Sequence, residues 1–323
     1  MPSPRRIDVH FHHIPPFYRE AVYAAGRGPA VGKYPEWTPQ LALDLMDAHG
    51  IEVALTSLAQ PGVGFGTPAS GRALARRCNE YTAELTARWP ARFGAFATVP
   101  MGSVEGACEE IAYALDVLRF DGVSLFASYG EKFLGDRAFD SLLEMLDARA
   151  AVVFVHPGLH PSSKDLALAW PAFMMEYLFD TTRAVVNLVF SGAIERFPRI
   201  RFILPHAGGL VPYFAWRLSV SPMIDARLPQ LSREQVFAGL AHFWYDNALS
   251  PGEQTFGALD HVARGDRIVF GTDFPFANPR VIAQAVATHE SGFLSPERRF
   301  AIDRANALAL FPKYANGQAS SHA

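Results

Sequence analysis

The stretch Ile7-Asp8-Val9-His10-Phe11-His12-His13-Ile14-Pro15-Pro16 decides the fold. It is a β-branched and aromatic run that breaks at imidazoles and prolines, the pattern of a strand entering a loop. Consecutive strand residues face opposite sides. Strict alternation therefore puts Asp8, His10 and His12 on one face, and Val9 and Phe11 on the other. An open doubly wound sheet usually follows its first strand with a glycine-rich phosphate turn. The prolines and imidazoles here make no such cradle. A barrel accommodates the pattern instead, with the polar face toward the interior or its mouth and Val9 and Phe11 toward covering helices.

Seven more short apolar runs follow: Ile51–Leu58, Phe93–Val99, Gly122–Phe126, Ala151–His156, Ile200–Pro205, Phe243–Ala248 and Arg267–Gly271. Helical patterns separate them at Pro39–His49, Ser70–Trp89, Val104–Leu118, Phe139–Ala148, Tyr177–Phe197 and Pro279–Thr288. Eight strands with helical connections predict an α/β chain folded as a (β/α)8 TIM barrel. The long gap before the sixth strand and the proline-rich Ser221–Pro229 predict extra loops and helices. One domain over residues 1–315 is expected, with 316–323 a disordered tail.

Composition narrows the function classes. The chain has 323 residues, net charge −3, 50% hydrophobic and 19% charged residues. That excludes a disordered protein. With no Lys/Arg run, no nucleic-acid or anionic-membrane partner is expected. No stretch approaches the ~20 apolar residues of a membrane span. The N-terminal residues lack an apolar signal-peptide region. Cys78 and Cys108 form no CxxC pair and predict small buried residues in a reducing, cytoplasmic setting.

The eleven histidines carry the chemistry. His10 and His12, two apart on a strand, can reach a single ion at ~2.0–2.1 Å. Asp8 is then a supporting group or a further ligand. The same event recurs where other apolar runs end: Val155-His156-Pro157, Pro205-His206-Ala207-Gly208-Gly209 and Gly271-Thr272-Asp273. One such residue is ordinary, but recurrence at four strand ends is the layout of a barrel active site. His13 reads as a loop or supporting group, and His49 as a favourable cation at a helix end. His160 lies near enough to His156 to touch a ligand. His242, His261, His289 and His322 read as surface or packing residues.

Together, Asp8-Val9-His10-Phe11-His12, Val155-His156-Pro157, His206-Ala207-Gly208-Gly209 and Gly271-Thr272-Asp273 resemble the amidohydrolase superfamily. The chain is most similar to the branch of aminocarboxymuconate semialdehyde and γ-resorcylate decarboxylases. Trp37-Thr38-Pro39, Ile111–Asp116 and Asp180-Thr181-Thr182-Arg183 resemble its 6-methylsalicylate decarboxylases. The resemblance implies His10, His12, His156 and Asp273 as metal ligands and His206 as the group acting beside the metal. It implies Arg217 near a substrate carboxylate or at a dimer interface, and a homodimer. Two-metal members need a lysine at the end of strand four. This chain reads Leu125-Phe126-Ala127-Ser128-Tyr129-Gly130 there, which implies one metal.

Three imidazoles and a carboxylate favour Zn2+, with Mn2+ also compatible, and no organic cofactor is expected. The resemblance implies decarboxylation of a small aromatic acid, a salicylate-type hydroxybenzoate such as 6-methylsalicylate, to CO2 and a phenol. Asp273 is the first candidate for moving the proton and His206 for assisting it. The motifs by themselves do not separate such a decarboxylase from a hydrolase of a lactone, ester or amide; a non-catalytic metal-binding barrel is a third reading, against which the acid/base set of His206 and Asp273 argues. Phe11, Trp37, Phe126, Tyr129, Trp170, Phe190 and Phe274 are the aromatic candidates from which a few would form a wall for a flat ring.

Overall fold

The computed structural model describes residues 5–58 and 60–315. One sheet holds eight strands: β1 Arg6–His13, β2 Ile51–Leu58, β3 Phe93–Thr98, β4 Gly122–Phe126, β5 Val152–His156, β6 Arg201–Leu204, β7 Trp244–Asp246 and β8 Ile268–Val269. Neighbours in that order pair in parallel. The segment after β8 returns to β1 through Val9 N→Phe270 O (3.0 Å), Asp273 N→His10 O (2.8 Å) and His12 N→Phe274 O (2.7 Å). These bonds close the sheet into the (β/α)8 barrel that the sequence predicts. β7 and β8 are shorter than the predicted runs because the chain turns early into the loops that carry the site.

Apolar side chains fill two layers. Inside the barrel, Ile7, Val9, Val53, Leu55, Phe96, Phe154, Ile203 and Val269 pack with Leu310 and Phe311, which plug its N-terminal end. Outside, Ala54, Val123, Val153, Phe202 and Leu204 meet the helices through Met46, Leu142, Leu146 and Leu188. Each fully buried large aliphatic side chain contributes about 1.5–3 kcal/mol.

β1 departs from strict alternation. Its pairing with β2 runs Asp8↔Ala54 and then Phe11↔Thr56, so β1 spends one more residue than β2 over this step. This bulge resets which side faces in. Ile7 and Val9 point inside above the plug, and His10 and His12 also reach the interior. Asp8 pairs with Ala54 of the outer layer. The expectation that Asp8 shares a face with the histidines, opposite Val9, is thereby corrected.

Helix ends follow local chemistry. Thr38 caps Pro39–Ala48 by accepting from Leu41 N, and Thr67 with Ser70 forms a capping box on Pro68–Arg88. The expected helix Tyr177–Phe197 is two helices, Phe173–Phe190 and Ala193–Arg196, broken at Gly192 with φ 70°. The proline-rich Ser221–Pro229 straddles the end of helix Val211–Ile224, which holds Pro222 in its last turn, and runs on into a turn and loop. Helices Pro16–Ala24, Arg233–Leu240, Glu253–Leu259, Pro296–Phe300 and Asn306–Leu310 add to those the periodicity predicts.

At Gly122 a Cβ would lie 2.4 Å from the Val152 carbonyl oxygen, so the β4–β5 spacing requires its absence. Gly122→Ala is expected to lower stability by about 1–3 kcal/mol, read by denaturant unfolding. An unchanged midpoint would contradict this packing.

Candidate metal centre

The interior histidines of β1 meet the end of β5 and the turn after β8. His10, His12, His156 and Asp273 are buried, and one ligand atom from each lies within 4.8 Å of the others. Asp273 Oδ1 sits 3.4 Å from His10 Nε2 and 3.2 Å from His12 Nε2. Each ring is held from behind. His10 Nδ1 donates to Asp246 Oδ2 (2.9 Å), His12 Nδ1 to Ser57 Oγ (3.0 Å) and His156 Nδ1 to the Pro157 carbonyl (2.8 Å). A proton fixed on Nδ1 leaves the Nε2 lone pair facing inward. His10 Nε2 and His12 Nε2 are buried and make no well-formed hydrogen bond, their one facing group being Asp273 Oδ1 as an ion-pair contact. Convergent lone pairs beside a carboxylate, shut off from water, fit a cation.

The electrostatics agree. Burial disfavours charge on His10, but Asp246 and Asp273 outweigh it and raise the group to about 10. Burial lowers His12, and burial with neighbouring imidazoles holds His156 well below its ordinary value. Burial would raise Asp273, yet the charge on His10 and the bonds from His10, His12 and His206 hold it well below the carboxylate range. The protein atoms thus retain positive charge on a ring between two carboxylates. A divalent ion supplies that charge directly and leaves the imidazoles neutral.

His206 follows β6. Its Nε2 lies 3.5 Å from Asp273 Oδ2, on the side away from the ligand oxygen. His206, Ala207 and Asp273 adopt φ of 52°, 57° and 64°, a left-handed region that costs non-glycine residues of order 1–3 kcal/mol each. Asp246 Oδ1 accepts from His206 N (2.9 Å), and Asp273 N donates to the His10 carbonyl (2.8 Å). Gly208 follows because a Cβ there would lie 2.6 Å from the Tyr245 ring.

Asp246 is the residue the sequence reading passed over. It is fully buried at the end of β7 and braces both His10 and His206. Its signal was present: Trp244-Tyr245-Asp246 repeats the apolar run ending in one ionisable group. Asp8 lies outside the cluster. Its carboxylate accepts from Thr272 Oγ1 (2.6 Å), Thr272 N (3.2 Å) and His10 N (2.9 Å), and burial raises it to about 7. It locks β1 to the turn after β8. His13 bridges Thr56 and Thr82, His160 stacks on Phe133, and His289 is buried against Asp303. His322 lies outside the described residues, as does the tail 316–323.

A cavity of about 250 Å³ opens above the cluster, reached by His156, His206 and Asp273. Its aromatic wall is Phe173, Tyr177 and Phe276, with Val31, Met174 and Leu249 toward the rim. None of the seven aromatic candidates lines it. Phe11 packs on Phe274 with ring centroids 4.9 Å apart in the core, Trp37 lies buried by His13, and Tyr129 Oη accepts from Phe126 N. The sequence pattern marks aromatics but not which side of the barrel end they reach. Arg217 is exposed on helix Val211–Ile224 and does not reach the cavity.

A (β/α)8 barrel with three imidazoles and one carboxylate converging at its C-terminal strand ends defines a barrel with a metal site. The chain belongs to the amidohydrolase family, whose model matches residues 7–313. It is 36% identical to the decarboxylase yanB of Aspergillus niger, over 96% of this chain and 88% of that protein. It is also 36% identical to the 6-methylsalicylic acid decarboxylase of Penicillium expansum, over 95% of this chain and 96% of that protein. Among solved structures, an amidohydrolase II superposes with TM-score 0.87 at 26% identity, covering 95% of this chain and 99% of that one. A dihydroxybenzoic acid decarboxylase from Polaromonas, solved with manganese and 2-nitroresorcinol, superposes with TM-score 0.78 at 24% identity, covering 95% and 97%.

Asp246→Asn keeps the size of the side chain but weakens its hold on His10. Metal affinity is expected to fall about 10–100-fold, read by competition with a chromophoric chelator. Unchanged affinity would remove Asp246 from the site.

Proposed function

We propose that this chain is a metal-dependent, non-oxidative decarboxylase of a salicylate-type hydroxybenzoate, with 6-methylsalicylate the first candidate, releasing CO2 and a phenol. The observation that carries the reading is the 36% identity, over nearly the full length of both chains, to a 6-methylsalicylic acid decarboxylase. The small, largely apolar cavity over the cluster supports it, because it suits one aromatic ring.

In this reading His10, His12, His156 and Asp273 Oδ1 hold one divalent ion. Bound there, the ion would supply a Lewis-acidic centre for substrate oxygens. The three imidazoles favour zinc. Manganese in the Polaromonas structure makes it the comparison metal. Asp273 Oδ2 relays a proton from His206 Nε2, across their 3.5 Å contact, to the ring carbon bearing the carboxylate. The ring then expels CO2 and regains aromaticity. Phe276, Tyr177 and Phe173 hold the ring and exclude water.

We also propose a homodimer through helix Val211–Ile224, with Arg217 at the interface. Tyr213, Trp216, Met223 and Ile224 on that helix are between 64% and 82% exposed, an apolar face that covering would bury.

Three measurements follow. CO2 release from 6-methylsalicylate should stop on chelation and return with added zinc. Return with manganese alone would contradict the zinc assignment, and no CO2 across a hydroxybenzoate panel, with ester or lactone cleavage instead, would contradict the reaction. His10→Ala and His156→Ala should lose metal and activity together, whereas His206→Asn should keep the metal and lose about 10²–10⁴-fold in turnover. Sedimentation should give a dimer for the native chain and a monomer for Trp216→Glu; a native monomer would overturn the interface.

A further inference from the structure

The cavity wall holds a polar pair that the reaction above leaves without a part. Gln60, two residues beyond β2, lines the cavity beside Tyr177. Tyr177 Oη donates to Gln60 Oε1 at 3.0 Å, and Tyr34 Oη donates to the Gln60 carbonyl at 3.2 Å. Amide oxygen and backbone are both fixed, while Nε2 donates to no described residue. The amide abuts Gly158, where a Cβ would lie 2.3 Å from Nε2. Gly158 N in turn donates to the buried carboxylate of Asp180 (2.7 Å), which also accepts from Ser128 Oγ (2.8 Å). The turns after β4 and β5 and helix Phe173–Phe190 therefore converge to seat one neutral donor.

Ordering a glutamine costs side-chain entropy, which a hydrogen bond from its cavity-facing N–H to a ligand would help offset. A ligand oxygen would satisfy it. No lining residue of the cavity is Lys or Arg. We propose that Gln60 recognises the aromatic acid, its Nε2 donating to a carboxylate oxygen, with Tyr177 as the positioning residue that aims the amide. The assignment rests on the decarboxylase reading.

The chemistry favours a neutral donor at this place. The bound carboxylate carries full negative charge. When the ring carbon has taken its proton, the bond to the carboxylate breaks, the electron pair returns to the ring, and CO2 leaves uncharged. A cation against that carboxylate would stabilise the ground state and lose the interaction as the reaction proceeds. An amide orients the group while stabilising its charge less.

Steady-state kinetics of the metal-loaded enzyme with 6-methylsalicylate test this. Gln60→Glu keeps an acceptor for Tyr177 and replaces the donor by a like charge. Its KM is expected to rise about 10–100-fold. Gln60→Lys should do the reverse to binding, with KM lowered and kcat lowered at least ~10-fold. Tyr177→Phe should raise KM about 3–10-fold with kcat within about twofold. A purely structural role would move KM in the same direction for Glu and Lys, and that outcome overturns the proposal. So does a Gln60→Glu enzyme within twofold of the native one. If the native enzyme releases no CO2 from any hydroxybenzoate, the decarboxylase reading fails by itself. Equilibrium binding of benzoate to the metal-loaded protein then decides: tighter for Gln60→Lys and weaker for Gln60→Glu supports the assignment, and equal affinities overturn it.

Discussion

Five ionisable side chains buried around one point set the terms for the rest of this molecule. His10, His12, His156, Asp246 and Asp273 are each at most 8% exposed. Taking two carboxylates out of water costs several kcal/mol apiece unless positive charge meets them. The surrounding protein supplies hydrogen-bond acceptors for the outer nitrogens of the rings and turns the inner nitrogens of His10 and His12 toward Asp273. Only a cation at the centre satisfies lone pairs and carboxylates together. The site is therefore built for an ion.

The barrel makes that convergence possible and is distorted to serve it. Eight parallel strands bring their C-terminal ends to one rim, so residues far apart in the chain become neighbours. The bulge in β1 lets Val9 pack inside while His10 and His12 still face the centre. Gly271 lies so close that a Cβ would come within 2.8 Å of His10 Cβ. His206 and Asp273 hold left-handed backbone that only the bonds around them, to Asp246 and His10, keep in place. Strain at two neighbouring groups beside the cluster is where a built site is expected to depart from local preference.

Much of this was legible in the chain. Short apolar runs marked all eight strands, because each strand is largely buried and rich in apolar residues. Apolar runs ending in His156, His206 and Asp273 marked three strand ends, because a strand's last inward residue is the one that reaches the mouth. The bulge was not legible, since inserting one residue changes which side a residue faces without changing composition. The cavity wall was not legible either. Tyr177 and Phe276 look like the core aromatics Phe11 and Phe274, and only the path of the loops separates them. Asp246 could have been found by applying the strand-end rule to the seventh run. Gln60 carried no signal, since what sets it apart is the hold of Tyr177, Tyr34 and Gly158 on one amide.

The most direct test of the metal centre is anomalous diffraction from crystals of the metal-loaded protein, recorded at the metal's absorption edge. The account predicts one peak, about 2.0–2.2 Å from His10 Nε2, His12 Nε2, His156 Nε2 and Asp273 Oδ1, with an open position toward the cavity. Two peaks, or one peak away from these atoms, would contradict it. So would a further protein ligand closing the open position.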